Sequence, residues 1–304
     1  MDETRKRARD WQAKDEAHES ARVIVTEGRG GMPKVVLRHP SGAAAELYLY
    51  GAHLTSWRSA DGEELLFLSE QAVFVPGKGI RGGVPIVFPQ FGAGPLPQHG
   101  FARSQEWTLE ESGSSADGAV FARLVLRDNE ETRTLWPHPF LAEVTVSLAD
   151  SLHVGLAVTN TGDDPFSFTA ALHSYFAVAD VRETTVEGLR GIRYRDKVQD
   201  GIEVLDTEDA VRFRGETDRV YLGAPSMVRI RGAAGGRTIE LRKEGFADLV
   251  VWNPWSEWSR SKEDFGDEEY LRMVCAEAAQ VADPVHLEPG QSWQAAQTLS
   301  VSSR

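Results

Sequence analysis

The feature that most constrains the fold is a strict alternation of apolar and polar residues in consecutive short segments. Over Leu141–Leu148 the apolar positions are Ala142, Val144, Val146 and Leu148. The next segment repeats the pattern with Leu152, Val154, Leu156 and Val158. Because successive side chains of a β-strand point to opposite faces, a period of two predicts strands with one buried face.

Further strand candidates are spread along the chain, with turns rich in Gly, Asp and Asn between them. They are Arg22–Thr26, Val35–Arg38, Glu46–Tyr50, Val120–Arg127, Phe166–Phe176, Val228–Arg231, Thr238–Arg242, Leu249–Trp252 and Met273–Glu277. Many short strands and few helical patterns indicate an all-β fold, an antiparallel sandwich or barrel with few short helices.

The domain organisation follows from the one clear helical pattern. Residues Asp2–Ala21 lack Gly and Pro and are rich in good helix formers, which predicts a surface helix. We therefore expect an N-terminal helical extension, residues 1–21, followed by a single β-sandwich domain, residues 22–304. Two irregular stretches, Phe74–Arg103 and Asn253–Asp267, interrupt the strand pattern. Long ordered loops of this kind often bind ligands.

Charge and cysteine content narrow the class of protein. The 304 residues carry a net charge of -13, which opposes general binding to nucleic acid or to an anionic membrane. A local basic cluster could still hold a small anion. The single cysteine, Cys275, fits a reducing compartment. No apolar run is long enough to cross a bilayer, and the charged N-terminus lacks the apolar core of a signal peptide, so we expect a cytoplasmic protein.

Sequence motifs for common cofactors are absent. The chain contains no Walker loop, HExxH, CxxC or G-x-S-x-G motif, and its eight histidines show no metal-ligand spacing. We therefore expect neither a metal nor a dinucleotide cofactor.

His173 lies in the strand predicted for Phe166–Phe176, on the face opposite the apolar one. That face carries Ser167, Thr169, Ala171, His173 and Tyr175. The imidazole should therefore project away from the main core, onto a semi-polar surface where a sandwich can bind a ligand. The alternative is a structural histidine that is hydrogen-bonded by Thr169 or Tyr175.

Glu277 stands in the run Met273–Ala279, whose other residues are small or apolar. Glutamate is rarely buried unless it is paired. In a partly dry cleft, desolvation would raise its pKa and make it a better base near neutrality. The alternative is a glutamate at a strand end that faces water.

Basic residues are gathered along the first irregular stretch. Arg81 and Arg103 flank much of it, and Lys78, Gln98 and His99 are near in sequence. Guanidinium can bind phosphate through two parallel hydrogen bonds, so this cluster is a candidate anion site. The alternative is that the arginines pair with carboxylates of a neighbouring loop.

Aromatic and acidic residues elsewhere could contact a sugar. Trp252, Trp255 and Trp258 could stack on the face of a sugar or could instead fill the end of the sandwich. Asp218 could accept hydrogen bonds from sugar hydroxyls, or it could be a turn residue or a partner of Arg219.

Several segments in a fixed order resemble one family, the hexose-6-phosphate mutarotases (glucose-6-phosphate 1-epimerases) of the galactose-mutarotase-like superfamily. They are Gly51–Trp57, Ile80–Gly92, Leu96–Arg103, Leu172–Phe176, Asp218–Tyr221, Val251–Trp255 and Met273–Glu277. The resemblance runs from about Glu46 to Gln280, and the segment Ser256–Asp267 departs from it.

The resemblance implies a β-supersandwich with an open cleft on one sheet. It implies that His173 and Glu277 are the catalytic pair, and that Arg81, Gln98, Arg103 and Asp218, with His99 beside them, contact the substrate. The expected reaction is interconversion of the α and β anomers of a hexose 6-phosphate by a monomer. Alternatives are an aldose 1-epimerase acting on unphosphorylated hexose and a non-catalytic carbohydrate-binding sandwich.

Overall fold

The computed structural model describes residues 21–302, and strands account for most of its regular structure. In chain order the strands are β1 (Arg22–Glu27), β2 (Pro33–Arg38), β3 (Ala44–Tyr48), β4 (His53–Arg58), β5 (Ile86–Val87), β6 (Thr108–Ser114), β7 (Val120–Arg127), β8 (Phe140–Leu148), β9 (Leu152–Asn160), β10 (Phe166–Leu172), β11 (Tyr175–Ala177), β12 (Thr185–Glu187), β13 (Arg193–Asp196), β14 (Ile202–Leu205), β15 (Ala210–Arg212), β16 (Thr217–Tyr221), β17 (Met227–Ala233), β18 (Arg237–Glu244), β19 (Asp248–Asn253), β20 (Met273–Leu287) and β21 (Ser292–Ser302). The α-helices are α1 (Glu130–Leu135) and α2 (Trp255–Arg260). Short 3-10 turns lie at Arg29–Gly31, Ala102–Ser104, Val181–Glu183, Lys197–Gln199, Ala234–Gly236 and Glu269–Arg272.

The strands form three sheets whose neighbouring strands are antiparallel. A four-stranded sheet has the order β1-β2-β3-β4. A second sheet has the order β14-β13-β16-β19-β20-β10-β5, with β11 also paired to β20. The third has the order β15-β12-β17-β18-β21-β9-β8-β7-β6. This arrangement confirms the expected antiparallel β-sandwich with few short helices.

The main core is built from the inward faces of the sheets. Strands β8 and β9 alternate buried and half-buried residues along their whole length, as their sequence pattern predicts. Their buried residues pack in one cluster with Phe166, Phe168 and Leu172 of β10 and with Leu241 and Leu299 of the third sheet. Burial of apolar area at about 25 cal/mol per Å² is the main stabilising contribution of such a core.

The segment predicted as one strand, Phe166–Phe176, is two strands, which share one register on β20 from Ala170 onward, after a shift between Phe168 and Ala170. Leu172 of β10 lies opposite Ala278 of β20, and Tyr175 of β11 lies opposite Cys275. Between them the ladder is interrupted where the Ser174 amide donates to the Leu172 carbonyl. The interruption leaves side-chain alternation intact, so His173 faces away from the core as predicted.

Other sequence expectations have different outcomes. The irregular stretch Phe74–Arg103 contains only β5 and the first residues of a 3-10 turn, whereas the stretch Asn253–Asp267 includes helix α2. The helix expected over Asp2–Ala21 lies outside the described residues, apart from Ala21, which is in no helix or strand. No helix within residues 21–302 is long and apolar enough to cross a bilayer.

Candidate active site

A cleft of 230 Å³ lies over the outer face of the second sheet, the one that contains β10, β16, β19 and β20. It collects every residue singled out in the sequence as catalytic or substrate-binding: Arg81, Gln98, His99, Arg103, His173, Asp218 and Glu277. Its lining also includes Phe91, Tyr175, Lys197, Glu216, Val250, Trp252, Trp258 and Lys262. Residues that are far apart in the sequence therefore share one small volume.

The floor of the cleft is the pair His173 and Glu277. The register of β10 and β11 on β20 places them directly opposite each other, and His173 Nδ1 is 3.4 Å from Glu277 Oε1. Both residues are buried: His173 is 7% exposed and Glu277 is 1% exposed. Neither His173 Nδ1 nor Glu277 Oε2 has a hydrogen-bond partner in the described part of the chain.

Burial shifts the acidity of both groups towards their uncharged forms. Desolvation, reinforced by the Asp218 carboxylate and opposed by Lys197, holds the pKa of Glu277 well above its ordinary 4.5. Desolvation also holds the pKa of His173 well below 6.5, and the charges of Arg103 and Arg81 act in the same direction. Groups whose pKa values are shifted in this way are typical of acid–base sites.

Aromatic rings hold the imidazole of His173 in place. The Tyr175 ring stacks on it at 4.8 Å between centroids with an interplanar angle of 12°. His99 and Trp252 meet it edge-on at 5.4 Å and 5.9 Å. Contacts on several sides restrict the rotation of the imidazole and exclude water from around it.

His99 sits at a sharp bend of the first irregular stretch. Its φ is 67°, and the next residue, Gly100, has a φ of 73°. A Cβ atom on Gly100 would lie 2.1 Å from the carbonyl oxygen of Phe88, so only glycine fits there. The His99 Nδ1 accepts from the Gly92 amide at 3.3 Å, and burial lowers the pKa of His99 to about 3, which keeps the ring neutral.

The two arginines of the cleft differ in their partners. Arg81 donates from Nε to Asp264 Oδ2 at 3.1 Å, and its Nη2 lies 3.0 Å from the same oxygen. Its Nη1 donates to the Tyr175 hydroxyl at 3.4 Å. Arg103 donates to the backbone carbonyl of Gln98 at 2.7 Å. No carboxylate within residues 21–302 is in ion-pair distance of Arg103. Arg81 therefore has the carboxylate partner of the alternative expectation, whereas the anion site stays a prediction.

Lys197 was not singled out in the sequence. It begins the 3-10 turn Lys197–Gln199, which the Asp196 side chain caps by accepting from the Val198 amide. Its Nζ is 3.0 Å from Asp218 Oδ2 and 5.6 Å from the centre of the Phe91 ring. The partner of Asp218 is thus Lys197, and local sequence carries no signal for this contact because the two residues lie on different strand ends.

The three tryptophans considered as sugar-stacking or sandwich-filling residues lie in two different surroundings. Trp252 and Trp258 line the cleft and contact each other edge-to-face at 5.2 Å. Trp255, the first residue of α2, packs instead on Tyr270 at 5.2 Å. Tyr175 and Lys262, which also line the cleft, were missed as site residues.

One group of side chains has the donor types of a metal site. A ring nitrogen of His173, Cys275 Sγ and a Glu277 oxygen lie within 4.8 Å of one another. Cys275 is wholly buried in an apolar cluster with Phe67 and Met273 and does not line the cleft. An ion would therefore have to enter that cluster to use all three atoms.

Comparison with known proteins assigns the chain to a family. Residues 33–300 match the family model for aldose 1-epimerase. A protein of Cenchrus ciliaris, named as a glucose-6-phosphate 1-epimerase, is 44% identical over 279 residues, which are 89% of this chain and 85% of that one. The chain belongs to the aldose 1-epimerase family. As a member of that family it is an isomerase.

Further relatives agree with this membership of the aldose 1-epimerase family. An Escherichia coli K12 protein that also carries the name glucose-6-phosphate 1-epimerase is 36% identical over 273 residues, covering 89% of this chain and 90% of its own. The crystal structure of a Salmonella typhimurium mutarotase superposes with a TM-score of 0.83 at 33% identity, over 97% of this chain and 100% of that one.

Proposed function

We propose that the protein interconverts the α and β anomers of a hexose 6-phosphate, with glucose 6-phosphate as the substrate that we favour. The observation that carries the proposal is the buried His173–Glu277 pair, which has unpartnered polar atoms and lines a 230 Å³ cleft together with several cationic side chains. The names of the relatives in Cenchrus ciliaris and Escherichia coli support the same substrate class.

Anomer interconversion needs two proton transfers and no change of oxidation state. In the ring-opening direction, Glu277 removes the proton from the C1 hydroxyl while His173 protonates the ring oxygen. The C1–O5 bond breaks, the free aldehyde end rotates, and closure with the two roles reversed delivers either anomer. Each positioned acid or base contributes about 10²–10⁴-fold in rate.

The substrate itself favours the charge state that this assignment needs. Burial and the charges of Arg103 and Arg81 lower the pKa of His173 and so disfavour its imidazolium form. A phosphate dianion beside Arg81 and Arg103 offsets those positive charges and so raises the pKa of His173. A sugar hydroxyl that donates to Glu277 stabilises its carboxylate.

The phosphate end is assigned to the arginine side of the cleft. Arg81 and Arg103 line the same cleft, and the positive charge of Arg81 acts on Arg103. Holding the phosphate there fixes which end of the sugar meets His173 and Glu277. Asp218, Gln98 and His99 would contact the sugar hydroxyls between the two ends.

NMR exchange spectroscopy of glucose 6-phosphate at equilibrium tests this function. Addition of the protein should transfer saturation between the α and β C1 protons at a rate proportional to enzyme concentration. Parallel measurements on glucose separate the alternatives. Equal acceleration of both sugars would indicate an aldose 1-epimerase without phosphate selectivity, and acceleration of neither would indicate a carbohydrate-binding sandwich without catalysis.

We also infer that the enzyme acts as a monomer in the cytoplasm, without nucleic-acid or membrane partners. The buried single cysteine, Cys275, and the net charge of -13 support this inference. Sedimentation velocity at micromolar concentration tests the monomer, since a dimer would sediment at a clearly larger coefficient.

A further inference from the structure

Arg81 is paired with the carboxylate of Asp264. Two nitrogens on one edge of its guanidinium bind the same oxygen of Asp264, and a third reaches the Tyr175 hydroxyl. The Trp258 ring lies 5.3 Å from the guanidinium carbon. A carboxylate on this edge occupies the position in which guanidinium commonly binds phosphate, so Asp264 and a phosphate would compete for it.

The backbone around Asp264 is held firmly. Phe265 is 1% exposed and packs against Phe67 at 5.7 Å. The Gly266 amide donates to Glu269, whose carboxylate also accepts from the Ser69 hydroxyl. Asp264 can therefore leave Arg81 by turning its side chain but not by opening the segment.

The Asp264 side chain has room to turn, because 27% of it is exposed to solvent. Arg81 does not have the same freedom, since Tyr175 and Trp258 hold it and only 22% of its side chain is exposed. When Asp264 leaves, the cation stays in the cleft and needs another counter-charge.

We propose that Asp264 is an exchangeable counter-ion that tunes the phosphate affinity of the cleft: it pairs with Arg81 until the phosphate of the substrate displaces it. This inference rests on the proposed function, because it takes the anion at Arg81 to be the sugar phosphate. Arg81 is then paired both with and without bound phosphate. Because phosphate must displace Asp264, its binding free energy is reduced by the free energy of the Arg81–Asp264 contact.

The test is binding of inorganic phosphate to the full-length protein by isothermal titration calorimetry. Asp264→Asn removes the competing charge and should tighten phosphate binding by about fivefold, the scale of a partly exposed ion pair. Glu263→Gln is the matched control, because it removes the same charge from an exposed neighbour. It should leave the affinity within about twofold of wild type.

Unchanged or weaker phosphate binding by Asp264→Asn would overturn the inference, as would equal tightening by Glu263→Gln. Absence of phosphate binding in both wild type and Asp264→Asn would overturn it too. Asp264→Glu restores a carboxylate and should bring the affinity back towards wild type, which a fold defect would not do.

Activity separates this inference from the proposed function. For glucose 6-phosphate, Asp264→Asn should lower the KM without slowing exchange at saturation. Normal exchange by wild type with no KM change in Asp264→Asn would refute the counter-ion role alone. Absence of exchange on glucose 6-phosphate with the wild-type protein would refute the proposed function, whatever the phosphate affinity of Asp264→Asn.

Discussion

His173, between β10 and β11, lies opposite Glu277 of the antiparallel strand β20, and the register of these strands brings His173 Nδ1 to 3.4 Å from Glu277 Oε1. Opposed residues in such a pair have Cβ atoms about 4.5–5.5 Å apart, so their side chains can act on one small group. The geometry is therefore built into the sheet and does not depend on a mobile loop. Loops supply the cations that surround the pair.

Replacing either member of the pair should stop catalysis. Glu277→Gln and His173→Ala each remove one of the two groups that transfer protons, and exchange on glucose 6-phosphate should fall by about 10²–10⁴-fold. NMR exchange spectroscopy measures the rate, and circular dichroism checks the fold. His286→Ala, an exposed histidine also on β20, is the control. Exchange at the wild-type rate in either active-site variant would disprove the assignment.

Glu277→Gln should also stabilise the protein at neutral pH. Because the folded pKa of Glu277 is raised above 4.5, folding favours the protonated carboxyl, and above pH 4.5 this costs about 1.4 kcal/mol for each pH unit up to the folded pKa. Stability from this group is thus complete below pH 4.5 and is lost as the pH rises from 4.5 to the folded pKa. Glutamine has no such cost.

Thermal unfolding over a range of pH checks this effect. The Tm of Glu277→Gln should exceed that of wild type at pH 7, and the difference should shrink as the pH falls towards 4.5. Glu216→Gln, whose carboxyl lies at the rim of the same cleft and is less buried, should show a smaller gain. A Tm difference that is independent of pH would contradict the raised pKa.

Arg103→Ala should impair binding of phosphorylated sugar selectively. Arg103 has no carboxylate in ion-pair distance among residues 21–302, so its charge is available to a phosphate. Loss of a charged hydrogen bond should raise the KM for glucose 6-phosphate by about tenfold or more, with little change for glucose. Arg127→Ala, exposed on β7, controls for net charge. Equal effects on both sugars would argue against a phosphate role.

Lys243→Met should destabilise the fold without touching the cleft. Lys243 is 4% exposed, and its Nζ donates to the carbonyls of Ala224, Phe246 and Ala247 at 2.8–2.9 Å. Methionine fills a similar volume but leaves these carbonyls without their donor, which should cost about 2–4 kcal/mol. Urea denaturation gives the free energy of unfolding. Arg242→Met, an exposed neighbour, should change it by less than about 1 kcal/mol.

Local sequence determined the strands and the residue types of the site. The alternation in β8 and β9 and the face on which His173 lies follow from the period of two, which depends only on adjacent residues. The small, apolar neighbours of Glu277 likewise indicated a buried carboxyl. The family resemblance in segments such as Leu172–Phe176 singled out His173 and Glu277.

Only the tertiary structure decided which charges meet. Arg81 pairs with Asp264 through the paths of two irregular stretches over the sheet, and Lys197, directly after the end of β13, pairs with Asp218 of the adjacent strand β16. No periodicity encodes such paths, because each is set by turns and packing far from the residues that finally touch. The sequence therefore specified a histidine and a glutamate on one face of a sheet, and the fold determined that Asp264 pairs with the guanidinium at which we propose that the substrate's phosphate binds.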